Sequence, residues 1–241
     1  MKEEYHKWLT LYLNKEFEIL VFGHEGFPIV FFPSEKSRFY TYKDTGLINS
    51  VSNLIEDGRI KIYCPDSIDN ESWYNYSIHP ADRVKTHIAY ENVILHDVIE
   101  YAIYESNREK VIVSGCGFGG YHAVNFAFKH PDKVQGVISL SGFFDIKRFI
   151  WGYYDDNCYF NNPSDYMPNL EDPWYLNKIK EMKIILGSGE WDSNLEENKR
   201  MSEILNQKNI PHQLDIKPNT GGDWGWWREI FPEYIKNIIN Q

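Results

Sequence analysis

The chain has 241 residues, of which 42% are hydrophobic, 25% charged and 16% aromatic, and its formal net charge is -10. That length and apolar content suffice for a real core and exclude disorder as the default state. Acidic residues outnumber basic ones 35 to 25, which excludes the broad positive field that draws in nucleic acid or an anionic membrane surface.

The three cysteines, Cys64, Cys116 and Cys158, form no C-x-x-C pair and no His/Cys cluster of zinc spacing. Neither a disulfide framework nor a metal site is expected, and no cofactor is implied. At the start, Lys2, Glu3, Glu4, His6 and Lys7 precede only a short apolar stretch, neither a signal h-region nor a membrane span. A cytoplasmic, reducing location is the expectation. No repeat, low-complexity tract or linker divides residues 1–241, which read as a single domain.

In chain order, β-rich runs at 8–13, 17–22 and 29–32, separated by Gly26, Pro28 and Pro33, predict two or three antiparallel opening strands. Strands then alternate with helices: helix 47–55, strand 60–64, a long helix 81–105, strand 110–114, helix 119–129, strand 136–140, strand 183–187, helix 196–207, strand 211–216 and helix 227–240. Val111, Ile112 and Val113 are continuously apolar, as a central parallel strand buried on both faces requires. The pattern predicts an α/β protein, a three-layer α/β/α sandwich with a mostly parallel central sheet and antiparallel N-terminal strands. Residues 143–176, rich in Trp, Tyr, Asp, Asn and Pro, read as an irregular insertion, either a lid or cleft wall or an ordered surface excursion packed by its own aromatics.

The most informative stretch runs from Val111 through Gly115, Cys116, Gly117, Phe118, Gly119 and Gly120 into a helix. This is the strand-turn-helix setting of a G-x-S-x-G nucleophile elbow, in which small residues let the backbone turn sharply beside the nucleophile. Gly115 and Gly119 hold the flanking positions, but the central one is Gly117. No hydroxyl or thiol stands at the nucleophile position.

With these residues the chain resembles the esterase family of the α/β-hydrolase superfamily, the group containing esterase D (S-formylglutathione hydrolase) and the mycolyl-transferase antigens. The resemblance covers essentially the whole chain. It includes His130-Pro131-Asp132 after the elbow helix, Leu140-Ser141-Gly142 after the next strand, the run from Gly187 to Asp192, and the run from Asp223 to Trp227. It implies an α/β-hydrolase fold and, in active members, the chain order Ser, Asp, His. By position the acid falls on Asp192 and the base on Gly222.

The histidines point the same way without any alignment. They stand at 6, 24, 79, 87, 96, 122, 130 and 212, so none follows the strand predicted at 211–216, where a base in this chain order must sit. A triad works because imidazole takes the nucleophile's proton while a carboxylate holds the imidazole. What survives its loss is about 10³–10⁴ over water. Cys116 and His122 are candidate replacements. Against them, Cys116 and Ser114 read as buried strand residues and His122 as helix packing.

An oxyanion hole in such a fold uses the backbone N–H of Phe118 and one near Pro33, Ser34 and Glu35, and both survive loss of a side chain. Phe118, Trp151, Tyr153, Tyr154 and Trp224 are expected around it, suiting an ester, acyl or sugar-like ligand. Trp227 reads as packing the last helix. The expectation is an esterase-like protein that has lost serine-hydrolase activity, with such a small-molecule ligand in the cleft as its partner, no nucleic acid, no membrane, and a homo-oligomer left open. The alternatives are an active carboxylic-ester hydrolase using a displaced nucleophile (Cys116) or base, or an engineered inactive form.

Overall fold

The computed structural model describes residues 1–239, so the last position of the helix expected at 227–240 lies outside the described residues. β1 (Glu3–Thr10) and β2 (Lys15–Phe22) form an antiparallel hairpin closed by a turn in which Asn14 takes φ 49°. The first strand starts earlier than the apolar run suggested. As the edge strand it exposes alternate side chains, so charged residues from Glu3 to Lys7 belong to it, and the turn takes Leu11 and Tyr12.

β3 (Phe27–Phe32) pairs in parallel with β4 (Ile60–Pro65) and β5 (Val111–Cys116), correcting the reading of a third antiparallel strand. Between β3 and β4 lie three short helices, α1 (Thr41–Asp44), α2 (Leu47–Ser50) and α3 (Ser52–Glu56). The single helix expected at 47–55 is broken where Val51 takes φ -113° and ψ 13°. The long helix is continuous from α4 (Pro80–Asn92) through a π-helical stretch (Val93–Ile99) to α5 (Glu100–Ser106), which ends where Asn107 turns left-handed.

After β5 come α6 (Phe118–Lys129), β6 (Val134–Leu140), α7 (Asp156–Tyr159), α8 (Pro163–Asn169), α9 (Pro173–Glu181), β7 (Lys183–Gly189), α10 (Leu195–Gln207), β8 (Gln213–Lys217) and α11 (Trp224–Ile239). The eight strands lie in the order β1-β2-β4-β3-β5-β6-β7-β8, parallel from β4 to β8.

The side-chain alternation of the strands builds two cores. Val30, Phe32, Val111, Val113 and Val137 face α4, α6 and α10, whereas Ile29, Phe31, Ile112 and Ile138 face α1 to α3 and α11. Helices thus cover both faces of the sheet, giving the expected three layers. Full burial of each such side chain contributes roughly 1.5–3 kcal/mol.

The 143–176 segment is helical in pieces, not irregular. A 3-10 turn at Ile146–Phe149 precedes α7, α8 and α9. Asp145, Asp155 and Asp172 each accept a backbone N–H at a helix start, and Pro163 and Pro173 occupy first-turn positions where a missing N–H costs nothing. Phe143, Ile146, Phe149, Ile150 and Cys158 join Trp73, Val84, Phe118 and Tyr121 in a third, smaller core.

Candidate active-site cleft

β5 delivers the chain into the elbow, and its glycines are there for contact reasons. A Cβ on Gly115 would lie 2.2 Å from the Gly119 carbonyl, and one on Gly119 would lie 2.4 Å from the Phe32 carbonyl oxygen. Gly117 differs. Its φ of 58° and ψ of -117° lie in a region costly to residues with a Cβ, yet a Cβ built there has no heavy atom within 4 Å beyond its chain neighbours. The apex is held by the Gly117 N–H donating to the Leu140 carbonyl at 2.8 Å. It projects into open space.

Behind the apex, Tyr42 ties the two loops that flank it. Its hydroxyl donates to the Phe32 carbonyl at 2.6 Å and accepts from the Cys116 N–H at 3.1 Å. The ring stacks on Phe31 with centroids 3.9 Å apart. The loop after β3 is pinned from the other side, because the Lys36 N–H donates to Asp69 at 2.9 Å and Asp69 lies 3.2 Å from His122 Nε2.

Asp192, the residue expected as the acid, is held by other partners. Asp192 is 9% exposed, and its carboxylate accepts from the Asn194 N–H at 2.9 Å and the Ser188 hydroxyl at 3.2 Å. Gly222 is the residue turned toward it: an added Cβ would meet both Asp192 carboxylate oxygens and Ser141 Oγ, each at 3.0 Å. The two candidate histidines are engaged elsewhere. His122 is buried, bonded to Asp69 and packed on Phe118 at 4.6 Å, and His212 bonds Ser202 at 2.6 Å.

Cys116, the candidate displaced nucleophile, lies away from the cleft. Its side chain lies in the core beneath the sheet with Ile112 and Ile138, fully buried, and burial pushes the thiol well above its usual range. Ser114 is likewise buried on β5.

A cleft of about 350 Å³ opens over the elbow, lined by Ser34, Glu35, Gly117, Phe118, Ser141, Phe143, Arg148, Asp192, Asn194, Gly222, Trp224 and Trp227 among others. As the first residue of α6, Phe118 has an N–H without an intrahelical acceptor, at the positive end of the helix. Trp224 meets Trp227 edge-on at 4.8 Å, so Trp227 both packs α11 and forms the floor.

Three expected wall residues are not there. Trp151 is 62% exposed, stacked on Tyr76 with the Arg83 guanidinium 4.2 Å from its ring centre. Tyr153 bonds Asp155, and Tyr154 bonds Asp165. These polar partners within and beside the insertion turn all three away from the cleft.

Sequence reasoning missed Ser141 and Arg148. Ser141 takes φ 55°, is 2% exposed, and accepts from Trp227 Nε1 at 3.0 Å. Arg148 stacks on Phe143 at 3.8 Å and lies 3.7 Å from Glu197. The signal for Ser141 was its place just after a central strand. Arg148 had none beyond being a lone arginine in an aromatic run.

Among the described residues no cluster of His, Cys, Asp or Glu is arranged to hold a metal, and no helix is long and apolar enough to cross a membrane.

The elbow between β5 and α6, an acid after β7 and a loop before the last helix define an α/β-hydrolase framework. A family model described as "Putative esterase" matches residues 29–238, and the chain belongs to that family. Solved structures agree on the fold. A ferulic acid esterase superposes with a TM-score of 0.78 at 14% identity, covering 99% of this chain and 97% of that one. An S-formylglutathione hydrolase from Agrobacterium tumefaciens gives 0.74 at 12% identity over 99% and 94%, and one from Staphylococcus aureus 0.69 at 15% over 99% of each. No curated protein matches the chain in sequence.

Proposed function

We propose that this chain is an esterase-family protein that no longer forms an acyl-enzyme and keeps the cleft as a binding site. The observation that carries this reading is the empty apex: Gly117 retains elbow backbone but presents no atom able to attack a carbonyl. Gly222 extends the loss, since among the described residues no histidine lines the cleft beside Asp192. What supports retained binding is that the Phe118 N–H, the Ser34 loop and the aromatic floor do not depend on the lost side chains. An uncharged carbonyl compound, an ester or acyl group, suits such a site.

The test is hydrolysis of p-nitrophenyl acetate and butyrate by the purified chain, with reaction against a fluorophosphonate probe alongside. The expected result is turnover at the buffer rate and no covalent adduct. Turnover that is abolished by Asp192→Asn, or an adduct on Ser141 or Cys116, would overturn the proposal.

A further inference from the structure

The second half of the 143–176 insertion walls a separate cavity of about 470 Å³, within the size range of small-molecule sites, roughly 300–1,000 Å³. It shares no lining residue with the elbow cleft. α6 separates the two: Phe118 at its start borders the cleft and Lys129 at its end borders the cavity. Eleven residue steps at the α-helical rise put those ends about 16 Å apart.

Five aromatic rings line this cavity: Phe128, Tyr159, Phe160, Tyr166 and Tyr175. Tyr166 is 8% exposed and fixed by its hydroxyl donating to Asn125 at 3.1 Å, whereas Phe160 stands 57% exposed at the rim. Phe160 meets Tyr159 edge-on at 5.0 Å, so the rim carries two adjoining rings.

Charges of both signs lie around the rings. Glu171 and Asp172 lie on the lining, and among the described residues Glu171 has no hydrogen-bond or ion-pair partner. The cations are committed elsewhere. Lys129 donates to Glu91 at 2.5 Å and Asn161 at 3.0 Å, and His130 Nε2 sits 2.6 Å from Glu91. Lys208, nearby, donates to the Leu170 carbonyl at 3.0 Å.

We propose that this cavity is a second binding site, for an organic cation with an apolar body, a quaternary or aromatic ammonium. Aromatic faces attract a cation through their quadrupole, most strongly when the charge is poorly hydrated, and the free carboxylate at the mouth adds to this. A small, strongly hydrated cation would gain little from the rings. An anion would meet Glu171 and Asp172.

Calorimetric titration of the intact chain with benzyltrimethylammonium, benzyl alcohol and benzoate tests the assignment. The cation is expected to bind at least about tenfold more tightly than the neutral alcohol, with no benzoate binding. Phe160→Ala and Glu171→Gln, both at exposed positions, should each weaken the cation severalfold, while Trp224→Ala in the elbow cleft should leave it unchanged. Equal binding of cation and alcohol, absence of saturable cation binding, or sensitivity to Trp224→Ala with indifference to Phe160→Ala would each overturn it. None of these outcomes depends on whether the elbow cleft hydrolyses esters.

Discussion

Gly222 faces Asp192 so closely that a β-carbon on the glycine would stand 3.0 Å from both carboxylate oxygens. That spacing is tighter than nine in ten real β-carbon contacts, and Ser141 Oγ closes the third side at the same distance. Asp192 and Ser141 would therefore have to give way by a few tenths of an ångström before any side chain could stand at 222. Building a triad at these positions is expected to take more than two substitutions. Gly117→Ser/Gly222→His is expected to hydrolyse p-nitrophenyl acetate only weakly, and each single variant to stay at background, because triad members act as a unit. Adding Ser141→Gly removes one 3.0 Å contact and relieves a left-handed residue, so the triple variant should exceed the double in kcat/KM. Equal rates for double and triple variants would show that Ser141 does not obstruct the base.

The apex makes a prediction about stability as well. Serine at 117 meets no steric obstacle, yet it must adopt φ near 58° with ψ near -117°. Gly117→Ser should cost about 1–3 kcal/mol in urea unfolding with an unchanged m-value. Gly119→Ala should cost more, because its methyl would fall 2.4 Å from a backbone oxygen that cannot swing aside. A neutral Gly117→Ser would mean that the apex relaxes once it carries a side chain.

Much of this was legible in the sequence, for identifiable reasons. The run Val111 to Val113 read as a doubly buried strand, and the glycines after it as a sharp turn into a helix. That no histidine follows His212 was legible as well. The direction of β3 was not legible, since parallel pairing with β5 depends on partners far along the chain. Neither were α7 to α9, whose short turns are set by caps and prolines and are too brief to show a helical stripe. Trp151 misled because composition reports an aromatic ring but not the Tyr76 and Arg83 that hold it outside.

Tyr42 should be worth more to stability than its ring. Tyr42→Phe keeps the 3.9 Å stack on Phe31 but leaves the Phe32 carbonyl and the Cys116 N–H without their buried partner. An orphaned buried polar group costs about 1–3 kcal/mol, so a loss of about 2 kcal/mol or more is expected in chemical denaturation. A loss below about 0.5 kcal/mol would show that these two groups find other partners.

Glu91 sets the acid limit of the fold. Burial pushes its carboxyl up, but the hydrogen bond from His130 and the charges of Lys129 and His130 outweigh burial and hold it at about 2, against 4.5 for the free group. The folded state therefore binds this proton more weakly than the unfolded chain does. The stabilisation is fully present above about pH 4.5 and is lost as pH falls toward about 2, the unfolded state taking up the proton first. Glu91→Gln should lower stability near neutrality by about 2 kcal/mol, the worth of a charged hydrogen bond, and flatten the decline between pH 4.5 and 3. Urea unfolding across that range measures both effects. Parallel curves for the two proteins would show that other carboxylates, not Glu91, govern the acid transition.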